Sequence, residues 1–228
     1  MKRFLAFACG MAGALSLLFS ALLLAVWLLG TQPAVMLPLM RHDAPPEAAG
    51  LPQERYPEAV EVITGYLSGR TDVFQLAGPE GKLLFHDYEQ AHMRDCRALF
   101  GLVRTALRIL LPLAGLCAAG ALLLRGQTRF LRLGVRWSLL AAGALFAALL
   151  IWALADFDGL FVRFHQTFFT NDLWLLNPQT DLLVRLMPLP YFIHCALILA
   201  IAPLPAVALL LFLARAPGKR TGTGASSH

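Results

Sequence analysis

Apolar and polar positions separate on a coarse scale along this chain. Four apolar stretches, about 4–29, 101–124, 135–155 and 191–214, each reach the roughly 20 residues needed to cross a hydrocarbon core. The first follows Lys2 and Arg3 and resembles a secretory signal. Its apolar run is too long for one, and it ends in Trp27-Leu-Leu-Gly-Thr without a small-x-small cleavage site, so it reads as an uncleaved anchor. Two polar connections remain, about 31–100 and 156–190.

In the first connection, Ala44 to Pro52 forms a stiff, Pro-rich lead-in. A short helix is expected over Pro57–Leu67, with Pro57 in its first turn, Gly69 at its end and an apolar stripe of Tyr56, Val60, Ile63 and Leu67. Val73–Leu76 and Lys82–Phe85 flank Gly78-Pro-Glu-Gly as the arms of a β-hairpin. Asp87 as N-cap with Gln90 reaching back makes a capping box, opening a helix that carries His92 into the second span. In the second connection, Phe157, Leu160, Phe161, Phe164 and Phe168 recur at helical spacing, the pattern of an interfacial helix. Asn177-Pro178 signals a turn, and Thr180 or Asp181 caps the helix that follows.

Composition agrees with membrane residence: 58% of the 228 residues are hydrophobic, only 14% are charged, and mean hydropathy is +0.64. Charge supplies an orientation. The N-terminus, the connection from Arg125 to Arg136 and the tail carry Lys2, Arg3, Arg125, Arg129, Arg132, Arg136, Arg215, Lys219 and Arg220, with no acid among them. All 14 Asp and Glu residues lie in the two long connections or at their edges. The positive-inside rule then places both termini in the cytoplasm and both long connections outside. The expected fold is membrane all-α: four transmembrane helices in a single domain over 1–216, an extracytoplasmic cap of short helices and the hairpin, and a disordered cytoplasmic tail, 217–228. The net charge of +5 is mostly this topology signal and calls for no nucleic acid. Cys9, Cys96, Cys117 and Cys195 have no metal-like or redox spacing, and the chain suggests no cofactor and no metal site.

His92 and His165 are the leading candidates for chemistry, since the topology puts both on one side at similar depth. A lone histidine in a membrane protein reads equally well as an interfacial residue satisfied by water; the acidic neighbours favour a site. Asp95 lies three residues after His92 on one helix face, and Asp158 lies two helical turns before His165. His42, His86 and His194 are weaker candidates: two loop positions and the mouth of the fourth span. Arg104 and Arg108 sit in the outer part of the second span and are either snorkelling topology markers or substrate contacts. Arg108, one turn deeper, needs a partner such as Asp156, Asp158 or a lipid phosphate. Asp172, Asp181 and Arg185 can pair with one another to shape the second connection. The chain contains no GxSxG elbow, no HExxH and no P-loop, which argues against a serine hydrolase, a zinc protease and an ATP-driven machine. Two histidines with acidic helpers at a membrane surface suit acid–base chemistry on an amphiphile.

Two blocks carry a family resemblance. Phe85-His-Asp-Tyr-Glu89-Gln-Ala-His92-Met-Arg-Asp95 resembles an F-x-x-x-E-x-x-H-M-x-D block. Phe164-His165-Gln-Thr-Phe-Phe-Thr-Asn171-Asp172-Leu-Trp174, followed by Pro178, Asp181 and Pro188, resembles F-H-x-x-x-F-x-N-D-x-W…P-x-x-D…P. In this order, between four spans, they resemble the lipoprotein intramolecular transacylase (Lit) family of bacterial membrane proteins; Cys96-Arg97 departs from the Val-Lys of that pattern.

The resemblance implies an acyltransferase of the bacterial cytoplasmic membrane, working at the extracytoplasmic leaflet. It would move the sn-2 acyl chain of an S-diacylglyceryl-cysteine lipoprotein to the α-amino group of the same cysteine, giving the lyso-form, without an acyl-enzyme. Its partners would be diacylglyceryl-modified lipoproteins and membrane lipids. His165 would act as base or proton shuttle with His92 as its partner, Asp95 and Asp158 would orient them, and Arg104 or Asn171 would stabilise the oxyanion, with Glu89 and Asp172 also at the site. The alternative is a non-enzymatic, membrane-anchored binding or assembly factor.

Overall fold

The computed structural model describes residues 1–215; the tail expected to be disordered lies outside the described residues. Among the described residues the regular structure is helical, joined by irregular segments, and contains no strand. In order, the helices are α1 (Lys2–Thr31), α2 (Pro33–Asp43), α3 (Pro46–Ala49), α4 (Tyr56–Ser68), α5 (Asp87–Leu123), α6 (Thr128–Ala155), α7 (Phe157–Phe168), α8 (Leu182–Leu186), α9 (Leu189–Ile201) and α10 (Leu204–Arg215).

Four stretches are long and apolar enough to cross a membrane: Lys2–Thr31, Asp87–Leu123, Arg125–Ala155 and Leu189–Arg215. In their most apolar windows the first is 33% buried within the protein, whereas the second and third are 6% buried, so those two present their side chains to lipid. The fourth span, expected as one helix over 191–214, is divided at Ala202-Pro203 into α9 and α10. Pro203 and Pro205 lack the N–H groups that would continue the ladder. Pro112, by contrast, sits inside α5 without ending it.

The chain divides into two compact units, one formed by Met1–Phe19, Leu110–Phe146 and the chain from Leu204, the other by Ser20–Ile109 and Ala147–Pro203. In the first, small residues let backbones approach. A Cβ at Gly134 would meet the Phe7 carbonyl oxygen and, at 2.7 Å, the Met11 nitrogen. Ser138, one turn on, donates its hydroxyl to Met11 O at 3.1 Å. Ala14, Leu18 and Leu210 are buried together there.

The second unit has the larger core, built around α4. Tyr56, Val60, Ile63 and Leu67 are all buried, as their spacing predicts. Gly69 ends the helix in the left-handed region at φ 80°, a conformation that costs glycine little. Met36 and Met40 of α2 join this core, as do Leu182, Leu183 and Leu186 of α8. The region before α4 is more helical than its prolines suggest: Pro33 and Pro46 stand in the first turns of α2 and α3, where a missing N–H is no loss.

The expected hairpin is reduced to one antiparallel bridge between Ala77 and Leu83 around a turn at Pro79–Gly81. Gln75 takes the place of further ladder bonds. Its side-chain oxygen accepts from the Phe85 N–H at 3.0 Å and its amide donates to the Phe85 carbonyl at 3.0 Å.

Candidate active site

The site begins where α5 begins, and the cap there differs by one residue from the expected one. Asp87 is the first helical residue, and the Glu89 carboxylate, not Gln90, reaches back to accept the His86 N–H at 2.7 Å. The box is therefore centred on His86, with the acid at its third position. Glu89 is completely buried, and its other oxygen accepts the Leu183 N–H at 2.8 Å. One carboxylate thus caps two helix N-termini, α5 and α8, where the partial positive charge of both favours an anion. Asp181, expected to cap α8 itself or to pair with Arg185 and Asp172, does neither. Its carboxylate accepts from Tyr88 Oη at 2.5 Å, Thr180 Oγ1 at 2.6 Å and the Asn177 N–H at 2.7 Å, while Arg185 Nε donates to its backbone carbonyl at 3.2 Å.

This double staple brings the two sequence blocks together. His92, one turn into α5, and His165, in the last turn of α7, lie with ring centroids 6.2 Å apart. Both rings are buried, His92 at 8% and His165 at 7% exposure. Phe169 packs against both, at 5.1 Å from His92 and 5.5 Å from His165, and Phe161 and Trp174 flank His165 at 4.2 and 4.9 Å.

The two imidazoles have different partners. His165 Nδ1 lies 2.8 Å from the Phe161 carbonyl. A carbonyl oxygen only accepts, so Nδ1 carries the proton and Nε2 keeps a lone pair. Burial pushes His165 below its ordinary 6.5, and the bond to Phe161 opposes this without cancelling it. His92 Nε2 is 3.5 Å from Cys96 Sγ, and its Nδ1 is buried with no hydrogen-bond partner. An unpaired buried polar atom costs about 1–3 kcal/mol.

The acidic helpers are placed differently from expectation. Asp95 makes no hydrogen bond to His92; its Oδ2 accepts the Asn171 side-chain amide at 2.9 Å, joining α5 to the loop after α7. Asn171 Oδ1 in turn accepts the Leu173 N–H at 3.1 Å. Asp158 is exposed and does not orient His165, whose Nδ1 is taken by the Phe161 carbonyl. The acid that matters locally is Asp156, which caps α7 by accepting the Gly159 N–H at 2.8 Å.

Beside the pair, a cavity of about 440 Å³ is lined by Val162, Gln166, Phe169, Thr170, Asn171, Asp172, Trp174 and Leu175. Asp172 reaches the site only as part of this wall. Arg104 lines a separate cavity of about 140 Å³ with Arg97, Trp27 and the end of α4, and shares no wall with the first. Arg97 there donates to Asp72 at 2.7 Å and lies over the Tyr66 ring. Among the described residues, Arg108 has no ion pair with Asp156 or Asp158.

Sequence reasoning ranked His42 and His194 as weaker candidates, a loop position and the mouth of the fourth span. Both rings meet Asp43, with Nδ1–carboxylate distances of 2.8 Å and 2.9 Å. The meeting depends on packing between α2 and α9, which no local spacing announces.

Comparison with known proteins supplies the family. The family model of the lipoprotein intramolecular transacylase Lit matches residues 11–192. No curated protein matches the chain. Among solved structures, the membrane integral lipoprotein intramolecular transacylase Lit from Bacillus cereus matches with a TM-score of 0.69 and 18% identity, over 94% of both chains. A histidine-to-arginine variant of that protein matches at 0.67 and 21% over 94% of this chain and 91% of that one. A histidine-to-alanine variant matches at 0.64 and 19%, over 94% and 92%. At these identities the structures speak for a shared membrane fold, while the family model spans both motif blocks and most of the chain. This chain belongs to the lipoprotein intramolecular transacylase (Lit) family, and is accordingly a membrane acyltransferase.

Proposed function

We propose that this enzyme transfers the sn-2 acyl chain of an S-diacylglyceryl-cysteine lipoprotein to the α-amino group of the same cysteine, using His165 and His92 as proton-transfer groups. The approach of His92 to His165, with a lone pair left on His165 Nε2, carries this reading. The α-amino nitrogen attacks the ester carbonyl, and His165 Nε2 takes the proton it sheds. The amide C–N bond forms, the ester C–O bond breaks, and the glycerol oxygen leaves with a proton. Nucleophile and ester belong to one molecule, so their proximity replaces a covalent acyl-enzyme; such pre-orientation is worth roughly 7–11 kcal/mol.

His92 Nδ1, buried and unpartnered, is the group a substrate hydrogen bond would satisfy. Asn171 gives one amide hydrogen to Asp95 and retains a second for the oxyanion. The neighbouring cavity suits an amphiphile, with Val162, Phe169, Trp174 and Leu175 for acyl carbons and Gln166, Thr170 and Asp172 for the polar head. Arg104, in its separate cavity, is assigned no part in the oxyanion. The segregation of basic residues from acids supports cytoplasmic termini and an active site at the extracytoplasmic leaflet.

The test is mass spectrometry of the N-terminal lipopeptide from cells expressing wild type, His92→Ala or His165→Ala. Loss of the lyso-form is expected for both variants. Full lyso-form production by either one removes that histidine from the mechanism.

A further inference from the structure

We propose that His42, Asp43 and His194 form a divalent-cation site of Zn(II) type that ties the end of α2 to the first turns of α9. None of the three belongs to the His92–His165 pair or to the cavity beside it.

The three side chains offer two imidazole nitrogens and a carboxylate oxygen, all within 4.8 Å of one another. His42 Nδ1 and His194 Nδ1 already face the Asp43 carboxylate at 2.8 and 2.9 Å, and the two rings meet edge to face at 5.2 Å. Ligands held about 2.0–2.2 Å from a tetrahedral zinc stand somewhat over 3 Å apart. Insertion of an ion between these groups therefore needs only a small withdrawal of the rings. His42 has room for that movement, since its side chain is 74% exposed.

The local field favours a cation. Asp43 is the last residue of α2, at the negative end of the helix. Its side chain is only 2% exposed, yet its ion-pair partners among the described residues are the two histidines, with no lysine or arginine. A carboxylate at a helix C-terminus, shielded from water and backed by imidazoles alone, lacks a permanent positive partner. Two imidazoles with one carboxylate select Zn(II) and its borderline neighbours over Mg(II) or Ca(II), which prefer all-oxygen shells. Three protein ligands leave a fourth position for solvent.

The test uses the full chain in detergent with any affinity tag removed, titrated with Zn(II) by calorimetry and followed by thermal unfolding. Wild type should bind one ion, and its midpoint should rise by about 5 °C or more at free Zn(II) near 100 times Kd. His42→Ala, at an exposed ring, should keep the fold and lose at least about tenfold in affinity; His194→Ala and Asp43→Asn should do the same. The double variant His92→Ala/His165→Ala should bind Zn(II) as wild type does. Absence of one-to-one binding, equal affinity in wild type and His42→Ala, or loss of binding in the double variant would each overturn the proposal.

Discussion

Asn171 donates its side-chain amide to Asp95 at 2.9 Å, although 76 positions separate them in the chain. The bond ties the loop that carries Trp174 to the helix that carries His92. Asp95 is thus bonded to Asn171 and not to the His92 ring.

Asn171→Ala should lower lyso-form production by about 100-fold or more, because it removes the oxyanion donor together with the bond to Asp95. Asp95→Asn should fall less, because an amide oxygen still accepts. Rates measured by lipopeptide mass spectrometry should fall far more than the shift of about 2–4 °C in thermal midpoint that one lost hydrogen bond causes.

Burial holds His165 below 6.5. As a base it must be neutral, so its own acid limb should lie below 6.5, beneath the limb set by the substrate's α-amino group at about 7.7–8.0. Stability has the same sign: below 6.5 the unfolded chain binds the proton more readily than the folded one, so stability declines with falling pH down to the folded value and then levels. Direct titration of the His165 imidazole by NMR with a midpoint above 6.5 would contradict this assignment.

Glu89→Ala should damage the fold before it damages the chemistry. It leaves the His86 and Leu183 amides without their acceptor, at about 1–3 kcal/mol for each one kept from water. The thermal midpoint should drop sharply, with the folded fraction retaining activity. Glu89→Gln should be intermediate, since an amide supplies one good acceptor in place of two.

Gly134→Ala places a methyl group against the Phe7 and Met11 backbones. Overpacking of this kind costs about 1–3 kcal/mol. Gly143→Ala in the same helix, with nothing within 4 Å of the added carbon, is the control and should leave the midpoint unchanged.

The spans, the α4 stripe of Tyr56, Val60, Ile63 and Leu67, and the pairing of His92 with His165 were legible in the sequence, because each rests on local periodicity or on two distinctive blocks. The partners of the acids were not. Asp95 to Asn171, Glu89 to Leu183 and Asp43 to His194 are contacts between distant elements, and short-range spacing favours nearer but wrong partners such as Asp158 for His165. The hairpin failed for a related reason: Gln75 took backbone partners that strand propensity assigns to the opposite arm. Prolines misled in both directions, hiding α2 and α3 while understating the break in the fourth span.

The Glu89 carboxylate also imposes an order of events on biosynthesis. Its second partner, Leu183, is made 94 residues later, a delay of roughly 5–20 s at ordinary elongation rates. During that interval the start of α5 has only its own cap, and the loop bearing Asn171 and Trp174 does not yet exist. A ribosome-bound or truncated chain that has crossed the membrane three times therefore holds His92 without its counterpart. Under the proposed mechanism such a chain is inactive, and acyl transfer becomes possible only when translation is nearly finished.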